Sequence, residues 1–127
     1  MARLLLVEDH EIMRETLTAL LNKEEAFEVI GETATGEEAL ARLAEIKPDL
    51  VLIDISLPGM SGLELLRHVQ ERFPDVRCCI LSSHAESVYG EYARQKGAIA
   101  YVDKRKVRDI IPTIRSALVN KTGPADY

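Results

Sequence analysis

The chain has no tryptophan, only two phenylalanines and four tyrosines, and only two cysteines. None of these rings lies in the basic stretch 103–108, which therefore offers nothing for nucleic-acid bases to stack on. The two cysteines, Cys78 and Cys79, are adjacent. On a strand, neighbours point to opposite faces, so the pair is badly placed to form a disulfide and reads as buried thiols in a reducing compartment. Basic charge is also short: 16 Lys and Arg stand against 21 Asp and Glu, a net charge of −5. A nucleic-acid surface needs clustered cations, and the nearest candidate, "DKRKVR" at 103–108, is short and interrupted. It reads as a solvated helix start, and direct nucleic-acid binding by this domain is not expected. No apolar run is long enough to cross a bilayer. "MARLLLVEDH" has one Arg and a short apolar run ending in acids, the wrong shape for a signal peptide. The expectation is a cytoplasmic protein without membrane contact.

What is present is a hydrophobic period that switches back and forth. Apolar or β-prone runs stand at 3–7, 27–32, 50–55, 77–83 and 98–103. Segments with helical spacing stand at 11–24, 36–46, 63–73, 85–97 and 107–120. The first of these carries Ile12, Leu17, Leu20 and Leu21. Five alternations in 127 residues predict one α/β domain, a parallel sheet with helices on both faces. At this length the flavodoxin-like (βα)5 three-layer sandwich, with strand order 2-1-3-4-5, is favoured. Pro112 fits the last helix best if Asp109 opens it, because a proline in the first turn loses no hydrogen bond. The domain is expected to occupy 1–120, with 121–127 a C-terminal tail or the start of a linker.

In such a sheet, ligands gather beyond the carboxyl ends of the strands. Glu8 and Asp9 follow strand one, Asp54 closes strand three, Ser82 and His84 follow strand four, and Tyr101 and Lys104 close strand five. Strands one and three are neighbours in this order, so three carboxylates converge. Close carboxylates repel unless a cation joins them, and a small set of hard oxygens suits Mg²⁺ better than Zn²⁺. No cluster of Cys and His competes for another metal. A carboxylate held still beside a cation, as Asp54 would be, can attack phosphorus and become an acyl phosphate. Lys104 would neutralise charge there, and Ser82 would hydrogen-bond a phosphoryl oxygen. Taken singly, each residue is more simply a turn residue, a helix cap or a solvated charge; the ordered set is what carries the reading.

At these residues the chain resembles the receiver domains of two-component response regulators. The resemblance spans roughly 2–120 and rests on "LLLVEDHEIMR", "PDLVLIDISLPGMSGLELL", "CCILSSH" and "KGAIAYVDK". It implies that Asp54 is the phosphoacceptor and that Asp9, Asp54 and the backbone carbonyl of Ser56 bind Mg²⁺, with Mn²⁺ as an alternative. Glu8 would reach the metal mainly through water. Ser82 would be the switch hydroxyl, Tyr101 the coupled aromatic switch, and Lys104 the partner of the phosphoryl oxygen. The donor would be a sensor histidine kinase or a histidine phosphotransfer protein. The domain would be a switch that catalyses its own phosphorylation and slow dephosphorylation, not a metabolic enzyme. Its fourth helix, fifth strand and fifth helix would address an output protein, a C-terminal domain of its own, or a second copy in a homodimer. "LPGMSGLELL" and "KGAIAYVDK" look most like the subfamily that carries a helix-turn-helix output domain.

Three residues depart from the pattern: Arg105 stands where proline often follows the lysine, Ser83 where a smaller residue is common, and His84 two places past Ser82. The resemblance implies that His84 and Ser56 border the path of the water that hydrolyses the acyl phosphate. They are expected to set its lifetime, His84 in a pH-dependent way. The residues argue against three rival readings, one of them a pseudo-receiver that only binds partners, which the intact set Glu8, Asp9, Asp54, Ser82 and Lys104 disfavours. A phosphatase with a strand-end Asp would want a second acid at Ser56, and a flavin-binding module would want a Gly-rich phosphate loop where Glu8 and Asp9 stand.

Overall fold

A computed structural model of the chain describes residues 1–84 and 86–120. The segment 121–127, expected as tail or linker, lies outside the described residues. Strands β1 (Ala2–Val7), β2 (Phe27–Thr33), β3 (Leu50–Asp54), β4 (Arg77–Ser82) and β5 (Ala100–Asp103) alternate with helices α1 (Glu11–Asn22), α2 (Gly36–Leu43), α3 (Gly62–Arg72), α4 (Glu86–Gln95) and α5 (Ile110–Asn120). The strands form one parallel sheet of order β2-β1-β3-β4-β5. The predicted flavodoxin-like topology is therefore the observed one.

The continuous apolar runs make sense because the central strands are covered on both faces. Leu5, Val7, Val51, Ile53, Cys78 and Ile80 pack into the layer of α2, α3 and α4. Their strand neighbours Leu4, Leu6, Leu50, Leu52, Cys79 and Leu81 pack into the layer of α1 and α5. The adjacent thiols thus lie on opposite sides of the sheet, both free and buried. Burial pushes the Cys78 thiol up to about 12 and Cys79 higher still. Among the described residues no helix is long and apolar enough to cross a membrane.

Local chemistry starts the helices. Thr35 and Ser61 accept the backbone N–H groups of Glu38 and Glu64 at 3.1 and 3.2 Å, a side-chain cap on each first turn. A 3₁₀ turn at Val107–Asp109 leads into α5, so Pro112 falls in that helix's first turn as expected. Two expectations need correction. Ile12 is 80% exposed: α1 buries Leu17 and Leu21, and at 100° per residue Ile12 lies about 140° away from Leu17. Strand β5 begins at Ala100, not residue 98, because Gly97 takes a φ of +107° and Ala98 donates its N–H to the Ala93 carbonyl, ending α4.

Candidate functional site

The sheet brings the acids together by register. Val7 pairs with Ile53, so the next residues, Glu8 and Asp54, sit side by side at the carboxyl edge. Both side chains are buried, Glu8 completely and Asp54 to 1% exposure. The Glu8 N–H donates to the Thr33 carbonyl at 3.0 Å, and the Arg14 guanidinium donates to the Glu8 carbonyl at 2.8 Å. Gly59 takes the positive φ, +68°, that the turn after β3 requires. Gly62 then returns the chain onto Asp54 so closely that a Cβ would stand 2.2 Å from the Asp54 carbonyl oxygen.

Lys104 lies between the two carboxylates. Its Nζ donates to Glu8 Oε1 at 2.8 Å and forms an ion pair with Asp54 Oδ2 at 3.2 Å. The other Asp54 oxygen, Oδ1, accepts the Ser56 N–H at 3.1 Å. Burial, followed by the neighbouring Glu8, holds Asp54 above the ordinary carboxylate value; the Ser56 N–H and the Lys104 charge oppose this. Burial alone lowers Lys104, but the Glu8 hydrogen bond and the Asp54 charge outweigh it and hold the ammonium above its usual range.

The Asp54 shift fixes the sign of a pH effect. The unfolded chain loses this proton at a lower pH than the folded one, so stability falls as pH rises from 3.8 through the folded value, and the full cost remains above it. Asp54→Asn is therefore expected to raise the Tm of the metal-free protein at neutral pH. Because Lys104 offsets part of the cost, the gain is roughly 1 kcal/mol, or about 4 °C. It should vanish below the unfolded value. Thermal unfolding in EDTA across pH reads this directly, and a lower Tm for the variant at neutral pH would contradict it.

The acidic cluster fits a hard divalent ion. Asp9 Oδ1 and Asp54 Oδ2 are buried atoms without a hydrogen bond, and carboxylate oxygens are the donors such ions take. A histidine stands beside these carboxylates. His10 joins Glu8, Asp9 and Asp54, with one ligand atom from each within 4.8 Å of the others.

Ser82 is fully buried, and its hydroxyl accepts the His84 N–H at 3.0 Å and lies 3.4 Å from His84 Nδ1. The exposed His84 ring meets Tyr89 edge-on at 5.2 Å. Tyr101 is 5% exposed and donates its hydroxyl to the His84 carbonyl at 3.0 Å. Tyr101, expected as the aromatic switch, thus lies inside, with its hydroxyl on the loop that follows β4. Arg105 forks onto Asp103 through three hydrogen bonds.

A family model for the response regulator receiver domain matches residues 4–115. The chain belongs to that family. The receiver domain is 37% identical over 99 residues to the uncharacterized transcriptional regulatory protein YhcZ of Bacillus subtilis, covering 78% of this chain and 46% of that protein. It is 36% identical to the DNA-binding transcriptional activator DevR/DosR of Mycobacterium tuberculosis, covering 98% of this chain and 61% of that one. It therefore spans about half to three-fifths of the length of these curated relatives. A crystal structure of a LuxR-family two-component response regulator from Aurantimonas sp. SI85-9A1 superposes with a TM-score of 0.88 at 32% identity, covering 94% of this chain and 86% of that one. The chain is a receiver domain of the two-component type, a signalling switch, and its relatives are transcriptional response regulators.

Proposed function

We propose that this receiver domain takes a phosphoryl group onto Asp54 from the phosphohistidine of a sensor histidine kinase or a histidine phosphotransfer protein, in the cytoplasm. An Asp54 oxygen attacks phosphorus, the P–N bond breaks, and the donor imidazole leaves. The observation that carries this is the Asp54 carboxylate, 1% exposed at the end of the central strand, with Lys104 Nζ 3.2 Å from Oδ2. Transfer of this kind needs fixed position and charge neutralisation more than covalent machinery. Mg²⁺, or Mn²⁺ in its place, would be held by Asp9, Asp54 and the Ser56 carbonyl, with Glu8 reaching it through water. When bound, it would neutralise charge developing on the phosphoryl oxygens. Lys104 neutralises the other side, and the Ser82 hydroxyl leaves His84 to meet the phosphoryl group.

Incubation with acetyl phosphate, followed by intact mass, tests this. One phosphoryl group is expected in the presence of Mg²⁺, none with EDTA and none in Asp54→Asn. Labelling that survives either change would overturn the proposal.

Tyr101 and His84 link this site to the outer face. A groove of about 630 Å³ runs along β5 between Arg94 of α4 and Thr113 and Ala117 of α5. The proposed reader of the phosphorylated state docks here: an output protein, a DNA-binding domain following in the native chain, or a second copy in a homodimer. Phosphate would bias an equilibrium already present. His84 and the exposed Ser56 flank the phosphoryl site and set how fast water removes the group. His84→Ala is expected to change the dephosphorylation rate severalfold; an identical rate and pH profile would remove His84 from this account.

A further inference from the structure

His10 stands at the mouth of the acidic cluster, and nothing in the switch mechanism uses it. It precedes the first turn of α1 with an extended backbone, φ −79° and ψ 112°, and its side chain makes no capping hydrogen bond. Instead the ring folds back over the acids. Its Nδ1 lies 3.4 Å from Glu8 Oε2 and 3.4 Å from Asp9 Oδ1, although the side chain is 71% exposed. One ligand atom from each of Glu8, Asp9, His10 and Asp54 lies within 4.8 Å of the others. Ligands about 2.1 Å from one ion stand roughly 3 Å apart when adjacent and about 4.2 Å apart when opposite, so the spacing needs little adjustment. Two oxygens in this set lack a hydrogen bond, Asp9 Oδ1 and Asp54 Oδ2. The second belongs to a side chain 1% exposed and has the Lys104 ammonium as its ion-pair partner at 3.2 Å.

We propose that His10 Nδ1 is a ligand of the ion held by Asp9 and Asp54, making this a mixed nitrogen–oxygen site that prefers Co²⁺, Ni²⁺ or Zn²⁺ to Mg²⁺. The inference rests on Asp9 and Asp54 being metal ligands, as the proposed phosphoryl-transfer function has them. Its physical basis is the donor type. Mg²⁺ is a hard ion that gains little from imidazole, whereas affinity for nitrogen-containing sites rises from Mn²⁺ through Co²⁺ to Ni²⁺. The ring binds in the neutral tautomer that carries its proton on Nε2. The site would then sense which divalent ion is in supply, because a late transition ion would displace Mg²⁺. The competing account is local: Nδ1–H donates to Glu8 and never meets a metal.

Mn²⁺ added to the full chain separates the two, because its electron spin couples to a directly bound nitrogen. Pulsed electron paramagnetic resonance is expected to show imidazole ¹⁴N coupling in the wild type and none in His10→Gln. Calorimetry should show Co²⁺ affinity falling at least about tenfold in the same variant. Circular dichroism checks that this exposed substitution leaves the fold intact, and Asp9→Asn locates the ion. Mn²⁺ bound without nitrogen coupling, coupling that persists in His10→Gln, or unchanged Co²⁺ affinity would each overturn the role of His10 alone. Failure of Mn²⁺ to bind at all would remove the metal reading of Asp9 and Asp54 together with it.

Discussion

Gly62→Ala is expected to lower stability by about 3 kcal/mol, and the Tm by roughly 10 °C. A Cβ at this position meets backbone on every side: 2.2 Å to the Asp54 carbonyl oxygen, 2.6 Å to the Ile55 Cα and 2.9 Å to the Asp54 carbonyl carbon. None of these atoms can rotate out of the way as a side chain would. Relief requires α3 to lift from the end of β3, which also breaks the Gly62 N–H bond to the Ile55 carbonyl at 3.1 Å. The strand end that moves is the one carrying Asp54. Phosphorylation should therefore slow even in the fraction that stays folded, since misplacing a reacting group by about 1 Å costs on the order of a hundredfold. Urea unfolding and the labelling rate of the folded fraction read the two effects separately. A Tm within about 2 °C of the wild type would mean that α3 yields easily and does not fix the site.

Lys104→Ala should slow phosphoryl acceptance on the order of a hundredfold, the usual loss when one preorganised positive donor leaves a site of this kind. Its Nζ is the cation that both buried carboxylates share, 2.8 Å from Glu8 and 3.2 Å from Asp54. Without it the completely buried Glu8 carboxyl loses its Lys104 partner, which should cost about 3 kcal/mol in the metal-free protein. Added Mg²⁺ should recover part of that stability but not the rate, because an ion held by Asp9 and Asp54 would not supply the hydrogen-bonding ammonium that Lys104 brings. Time courses of labelling with acetyl phosphate, beside melts with and without Mg²⁺, test both halves. A rate within about threefold of the wild type would remove Lys104 from the chemistry.

Much of the fold was legible because its signals are local. "RLLLV", "VLID" and "CCILS" are continuous apolar runs, and the helical spacing between them is as local a signal. The carboxylates were legible because each ends or follows such a run. What escaped depends on rotation and distance. Ile12 carries an apolar side chain at nearly the right spacing, yet it falls outside the α1 stripe once Leu17 and Leu21 define that face. The Glu8–Lys104 contact joins residues 96 apart in sequence, and no periodicity announces it. The inward ring of Tyr101 and the Ser82–His84 bond are rotamer choices set by three strand ends meeting, so the sequence named those residues without giving their posture. The approach of the exposed His10 ring to Glu8 and Asp9 depends on the extended backbone just before α1, which no periodicity gives.

The strand alternation that parts Cys78 from Cys79 supplies the protein with two internal clocks. Neither thiol ionises appreciably while it stays packed, since burial holds Cys78 near 12 and Cys79 above that. An alkylating reagent must wait for the molecule to breathe, and it reaches Cys78 only when the α2, α3 and α4 side lifts, and Cys79 only when the α1 and α5 side does. Two sulfurs joined by a single peptide bond thus time the loosening of the two faces of one sheet independently.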